Sequence, residues 1–222
     1  MIKLLDLLGI RCPSKSALQY TAAKLSGEFW DSVLAATCGN PYVVAIDATG
    51  LTRTNPSQHY LNRIDGVKPR VNVKLSAAFD TRRKKFCAAK VRVINAHDIR
   101  DAKPLLKKIK PKIVVADKGY SAEHLYEFAH ENGFLLMVPK KKRAKKGHYR
   151  KKQHKHFRTR TYHRRETIEA GFGSIKRKFG SSVNSKKART IRSEVYGRLA
   201  CHNIFGYAPR LLGQSPSNLG FF

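Results

Sequence analysis

The chain has 222 residues, 41% of them hydrophobic, enough for one domain with a real core. Lys and Arg number 45 against 15 acids, a formal net charge of +30, and the pI is near 10.4. That balance excludes an ordinary metabolic enzyme and implies a polyanionic partner, most simply nucleic acid, although a basic structural protein such as a ribosomal one shares the composition.

Four cysteines (Cys12, Cys38, Cys87, Cys201) lie far apart with no CxxC pair, which points to reduced thiols rather than a zinc site or a disulfide framework. No apolar run approaches a membrane span, and Asp6 and Arg11 interrupt the start as a signal peptide. The expectation is a cytoplasmic, nucleoid-associated protein with no membrane partner.

Residues 1–40 are nearly neutral and read as a short helical segment. Ser16 is placed to cap one helix running toward Ala36, with Leu18, Leu25, Phe29 and Val33 as its apolar side. Lacking a basic face, it is expected to pack rather than to read DNA. Gly39-Asn40-Pro41 ends it.

A second unit, 41–208, follows. The run 42–46 reads as a buried strand that ends on Asp47, a position where Asp is often only a turn former. Residues 51–69 are polar, with Asn55-Pro56 and Asp65-Gly66 as loop signals. The runs 71–79 and 86–94, joined by a turn at Asp80, form an antiparallel hairpin beside the first strand. Asp98 is placed to cap a helix carrying Ile99, Leu105, Leu106 and Ile109. The apolar run 113–116 is a further strand, ended by Asp117. Ser121 is placed to cap a helix through Ala129, Gly133 to end it, and 134–138 to form a fifth strand.

From Lys140 to Arg165 there are 14 Lys or Arg and no acid, opening with Lys140, Lys141, Lys142 and Arg143. This pattern supports neither a helix nor a strand core. The basic loop 139–161 is expected to be a disordered stretch, or a DNA-contacting arm that orders on binding. Its histidines lack partners at zinc-ligand spacing. The run 191–205 reads as a last helix with Val195, Leu199 and Ile204 apolar, and 209–222 as a loose tail.

The stretch 162–176 is helical. At about 100° per residue, Ile168, Phe172, Ile175 and Phe179 fall on one core-facing stripe. Tyr162, Arg165, Glu169 and Lys176 fall on the adjoining stripe. Gly171 and Gly173 weaken the helix, so packing must hold it. The bland reading is a solvated face with Arg165 and Glu169 as an ordinary i,i+4 pair.

The spacing, however, resembles a signature: Tyr, two residues, Arg, three residues, Glu, six residues, Lys. It is that of the YREK group of DDE transposases from insertion sequences, and Asp117-Lys118-Gly119-Tyr120 after a strand resembles the same family. The resemblance spans roughly 40–205 by element order.

It implies a ribonuclease H-like fold, a mixed five-stranded sheet flanked by helices. It implies that Asp47, Asp117 and Glu169 are the catalytic carboxylates and metal ligands, holding two Mg²⁺ (or Mn²⁺) ions about 3.5–4 Å apart. Tyr162, Arg165 and Lys176 would contact DNA phosphate. The activity implied is metal-dependent strand cleavage and strand transfer of an insertion sequence, with element ends and target DNA as partners and a homodimer on DNA. Only 46 residues precede Asp47, whereas such transposases commonly carry a larger DNA-binding region there. Recognition of ends would then lie in the C-terminal basic helices, or the copy is truncated. The competing readings are another ribonuclease H-like nuclease and a non-enzymatic DNA-binding protein, such as a decayed transposase.

Overall fold

The computed structural model describes residues 13–53, 72–93, 96–141 and 146–206. Most of the expected 51–69 loop and the tail from 209 lie outside them.

The N-terminal segment is two helices rather than one. Helix α1 (Lys15–Lys24) is capped by Ser14, and α2 (Gly27–Cys38) by Ser26, whose hydroxyl accepts from the Phe29 amide at 3.1 Å. A second capping serine in mid-run outcompetes a continuous helix. The packed side of α2 is Trp30, Leu34 and Cys38; Leu18 and Phe29, expected inside, are 42% and 45% exposed. Gly39, at φ 71°, ends α2.

Strand β1 (Val43–Arg53) is central. Strand β2 (Asn72–Asp80) pairs antiparallel along one of its edges, from Val44 opposite Asp80 to Thr52 opposite Asn72. Strand β3 (Lys85–Arg92) lies antiparallel outside β2. The hairpin turn is an Asx turn: Asp80 Oδ1 accepts from the amides of Arg82 (2.8 Å) and Arg83 (3.1 Å).

On the other edge of β1, strand β4 (Ile113–Ala116) runs parallel to residues 43–46, with β5 (Leu135–Met137) outside it. Farther along that edge a short strand β6 (Ser182–Val183) pairs parallel with Thr52 and Arg53. Among the described residues the sheet thus has six strands rather than five; two residues are too few to leave a period-2 signal. Asp47 also lies inside β1 and not at its end. What ends beside it is the pairing with β4, so, among the described residues, 47–51 have a strand partner on the β2 side only.

Alternation along β1 feeds two cores. Val43, Ala45 and Leu51 join one cluster; Val44 and Ile46 join the other. The second cluster is covered by helices α3 (Ile99–Leu106) and α4 (Glu123–Glu131). Neither helix has the expected cap. Asp98 has helical backbone and pairs with Lys74 instead, and the 3₁₀ turn (Lys118–Tyr120) leaves Ser121 one residue short of the cap position, which Ala122 takes. The acid that matters on α3 is Asp101, fully buried, accepting from Ser76 Oγ at 2.9 Å and Arg92 Nε at 2.7 Å.

The basic stretch is not structureless. It forms helices α5 (His148–His154) and α6 (Thr159–Tyr162), and a 3₁₀ turn (His163–Arg165) leads into α7 (Glu166–Phe179). Helix α8 (Ala188–Phe205) closes the first core and covers the open edge of β3. There the Asn203 side chain accepts from the Phe86 amide and donates to the Phe86 carbonyl, both at 2.8 Å. Among the described residues no helix is long and apolar enough to cross a membrane.

Ile168, Phe172 and Ile175 of α7 are buried as the stripe predicts. Each such burial is worth about 1.5–3 kcal/mol, which outweighs a glycine cost of about 1 kcal/mol per residue. Gly171 is required by close approach: a Cβ there would lie 2.8 Å from Phe79 Cε2 and 3.3 Å from Phe86 Cζ. At Gly173 a Cβ would meet only Arg177 Nη1, at 3.7 Å. Gly171→Ala should therefore lose about 1–3 kcal/mol by overpacking, while Gly173→Ala should gain up to about 1 kcal/mol of helix propensity. Urea unfolding of both variants checks the opposite signs.

Candidate active site

Asp47 is placed by β1, between the buried Ile46 and the start of the edge that β4 leaves open. Its carboxylate is 21% exposed. Oδ1 accepts from the Ala48 amide at 2.8 Å, and Oδ2 lies 3.4 Å from Arg165 Nη1. Burial raises the Asp47 carboxyl above its ordinary range, and the charges of Glu169 and Asp117 push the same way. The Ala48 amide and Arg165 oppose them.

Asp117 follows the last paired residue of β4. Ala116 registers with Ile46, so Asp117 comes next in line beside Asp47. Its backbone is extended (φ −68°, ψ 162°), and its exposed carboxylate has no hydrogen bond or ion pair among the described residues.

Glu169 sits in the first turn of α7, next to the buried Ile168. It is 55% exposed and takes Arg165 Nη2 at 2.8 Å. The i,i+4 pair expected from sequence is therefore present, but the same guanidinium also reaches Asp47. One cation thus draws together a strand carboxylate and a helix carboxylate that are far apart in sequence. Glu166, one turn earlier, points elsewhere: it is 70% exposed and pairs with His163 at 3.6 Å.

Tyr162 is half-buried, its ring 5.5 Å from Phe157, which packs on the first core. Lys176 is half-buried two turns beyond Glu169. Lys140 and Lys141 follow β5; Lys142 and Arg143 lie outside the described residues.

The basic helices are docked by polar side chains that the sequence did not single out. Gln153, 6% exposed, accepts from the Leu136 amide at 2.8 Å and donates to the Tyr126 carbonyl at 3.1 Å. Glu123 Oε1 accepts from the Tyr149 amide at 2.7 Å, near the start of α5. Lys151, Lys152, Lys155, Arg158 and Arg160 are left facing outward. Gln153 is the one amide side chain between Lys140 and Arg165, and that was the available signal for it.

Three carboxylates near one another are a hard, all-oxygen donor set, the chemistry that Mg²⁺ and Mn²⁺ prefer. The Arg165 guanidinium shows that a cation is already favoured between two of them. As placed, no three Asp, Glu, His or Cys side chains among the described residues are gathered closely enough to hold an ion.

The family described as transposase DDE domain matches residues 39–204. No curated protein matches the sequence. Among solved structures, the piggyBac transposase in a synaptic complex with hairpin DNA is similar, with 10% identity and a TM-score of 0.50. The match covers 90% of this chain and 55% of that one, so this chain spans about half its length. At that identity the likeness concerns the fold, a mixed sheet flanked by helices and consistent with a ribonuclease H-like architecture.

Proposed function

From a chain that belongs to the DDE transposase family, we propose a transposase of the YREK-signature group that cuts DNA at the ends of an insertion sequence and joins them to target DNA. The observation that carries this reading is the meeting of Asp47 on β1 with Glu169 on α7 through Arg165, beside the open carboxylate of Asp117.

Asp47, Asp117 and Glu169 would hold divalent cations. When bound, such ions supply activation of water or a DNA 3′-hydroxyl and stabilisation of the leaving oxygen. The chain's own residues do the rest. β1 and β4 fix the two aspartates on a rigid sheet, and α7 brings the glutamate across the sheet face. Tyr162, Arg165 and Lys176 would orient the scissile phosphate. The protein would act as a homodimer on paired ends, associated with the nucleoid.

The test is cleavage and joining of labelled DNA carrying the element's own inverted ends, with Mg²⁺ or Mn²⁺. Metal-dependent nicks and joined products support the reading. Binding without cleavage under either metal favours a DNA-binding protein without activity.

Helices α5 and α6 would track the DNA backbone. Nine Lys or Arg and no acid lie from Lys146 to Arg165, and docking by Gln153 presents part of them before DNA arrives. Replacing Lys151, Lys152 and Lys155 with Gln should flatten the slope of log affinity against log salt by about 0.9 for each phosphate no longer neutralised. Titration at several salt concentrations measures it, and an unchanged slope would remove α5 from the DNA path.

A further inference from the structure

Both oxygens of Asp47 are engaged in the protein alone. Oδ1 takes the Ala48 amide at 2.8 Å, and Oδ2 faces Arg165 Nη1 at 3.4 Å. Arg165 also holds Glu169 at 2.8 Å. Its side chain is only 20% exposed, so this guanidinium lies well inside the site. Asp117 is left open to solvent. The site therefore already contains a positive charge where a metal-binding reading needs one. A guanidinium and a divalent ion cannot both lean on Asp47 Oδ2 without mutual repulsion, which is strong at such range in a partly buried site.

We infer that Arg165 is a displaceable counter-cation: an ion taken up by Asp47 drives its guanidinium off Oδ2, and phosphate of bound DNA receives it. This rests on the reading above that Asp47 and Asp117 are metal ligands. The exchange suits the local structure. Arg165 closes the 3₁₀ turn between α6 and α7, and its link to Glu169 runs along its own helical path. The side chain can leave Asp47 while the helices stay docked.

In the absence of DNA, Arg165 competes with the ion and keeps the carboxylates neutralised. With DNA present, phosphate offers the guanidinium a second anion, in the bidentate geometry that it favours. DNA should then tighten metal binding, and by linkage metal should tighten DNA binding by the same factor. Arg165 is in this sense a positioning residue that couples the two ligands.

The experiment is Mn²⁺ binding to the full chain, read by electron paramagnetic resonance of the free ion. Arg165→Met keeps the stem and removes the charge. Without DNA it should bind Mn²⁺ roughly tenfold tighter than the unaltered protein, a change of about 1.4 kcal/mol. Arg165→Lys, which keeps a charge, should stay nearer the unaltered value. Duplex DNA carrying the element ends should tighten Mn²⁺ binding to the unaltered protein and much less to Arg165→Met. Thermal melts confirm that each variant folds, and Arg165→Gln replaces Arg165→Met if that one does not. Equal or weaker Mn²⁺ binding by the charge-free variant overturns the exchange. Asp47→Ala and Asp117→Ala separate the two levels. If they weaken Mn²⁺ binding while Arg165→Met does not strengthen it, only the exchange fails. If they change nothing, the metal reading itself fails.

Discussion

Alanine at Asp47, Asp117 or Glu169 is expected to collapse Mg²⁺-dependent DNA cleavage while DNA binding persists. Ligand loss removes several kcal/mol of charge stabilisation from the reacting phosphate, and each 1.36 kcal/mol is tenfold in rate. The expected fall is therefore about a thousandfold or more. Binding should survive because 45 Lys and Arg remain. Removing a negative charge from so cationic a surface should even tighten it slightly. Glu166→Ala is the control. Glu166 lies on the same helix, three residues before Glu169, yet it is 70% exposed and faces His163 rather than Arg165. That variant should cut nearly normally. The measurement is single-turnover cleavage of labelled element ends for all four variants, with affinity measured in parallel. If Glu169→Ala cuts while Glu166→Ala does not, the wrong carboxylate has been assigned to the site.

The parts of this chain that packing decides were legible in its sequence. Ile168, Phe172 and Ile175 recur at helical spacing because one face of α7 must leave water, and that stripe fixed the position of Glu169 beside it. The short apolar runs marked β1 and β4 for the same reason. The parts that non-local polar bonds decide were not legible. Gln153 docks α5 through two backbone groups, leaving no apolar rhythm, so a cationic run read as loop. Asp47 read as a strand end because Ala48 and Gly50, on either side of Thr49, carry little strand propensity. Pairing with β2 as far as Thr52 nevertheless holds the strand together. The contact from Arg165 to Asp47 spans 118 positions, beyond any local pattern.

Asp101→Ala should cost about 3 kcal/mol of stability, the low end of the range for breaking a buried ion pair. The low end applies because Arg92, 31% exposed, can recover water once its partner is gone. Asp101 is wholly buried and joins α3 to both strands of the hairpin: Ser76 on β2, and Arg92 and Lys90 on β3, the last at 3.7 Å. Burial opposes its ionisation, but the hydrogen bonds from Arg92 and Ser76 prevail and hold its carboxyl below the ordinary carboxylate range. The sign of the pH effect follows. A carboxyl depressed in the folded state stabilises fully above its unfolded value, about 3.9. That stabilisation is lost as pH falls toward the folded value. Part of the acid limb of unfolding should thus belong to Asp101, and Asp101→Asn should flatten it while also lowering stability at neutral pH. Urea unfolding of both proteins at pH 7 and at steps below pH 5 measures the two effects together. The consequence reaches the candidate site. Helix α3 leads into β4, and the end of β4 sets Asp117 beside Asp47. A loosened α3 should reduce cleavage through misplacement of Asp117, and conditions that restore the fold should restore the activity. Full cleavage by Asp101→Ala with lost stability would show that β4 is held by the sheet alone.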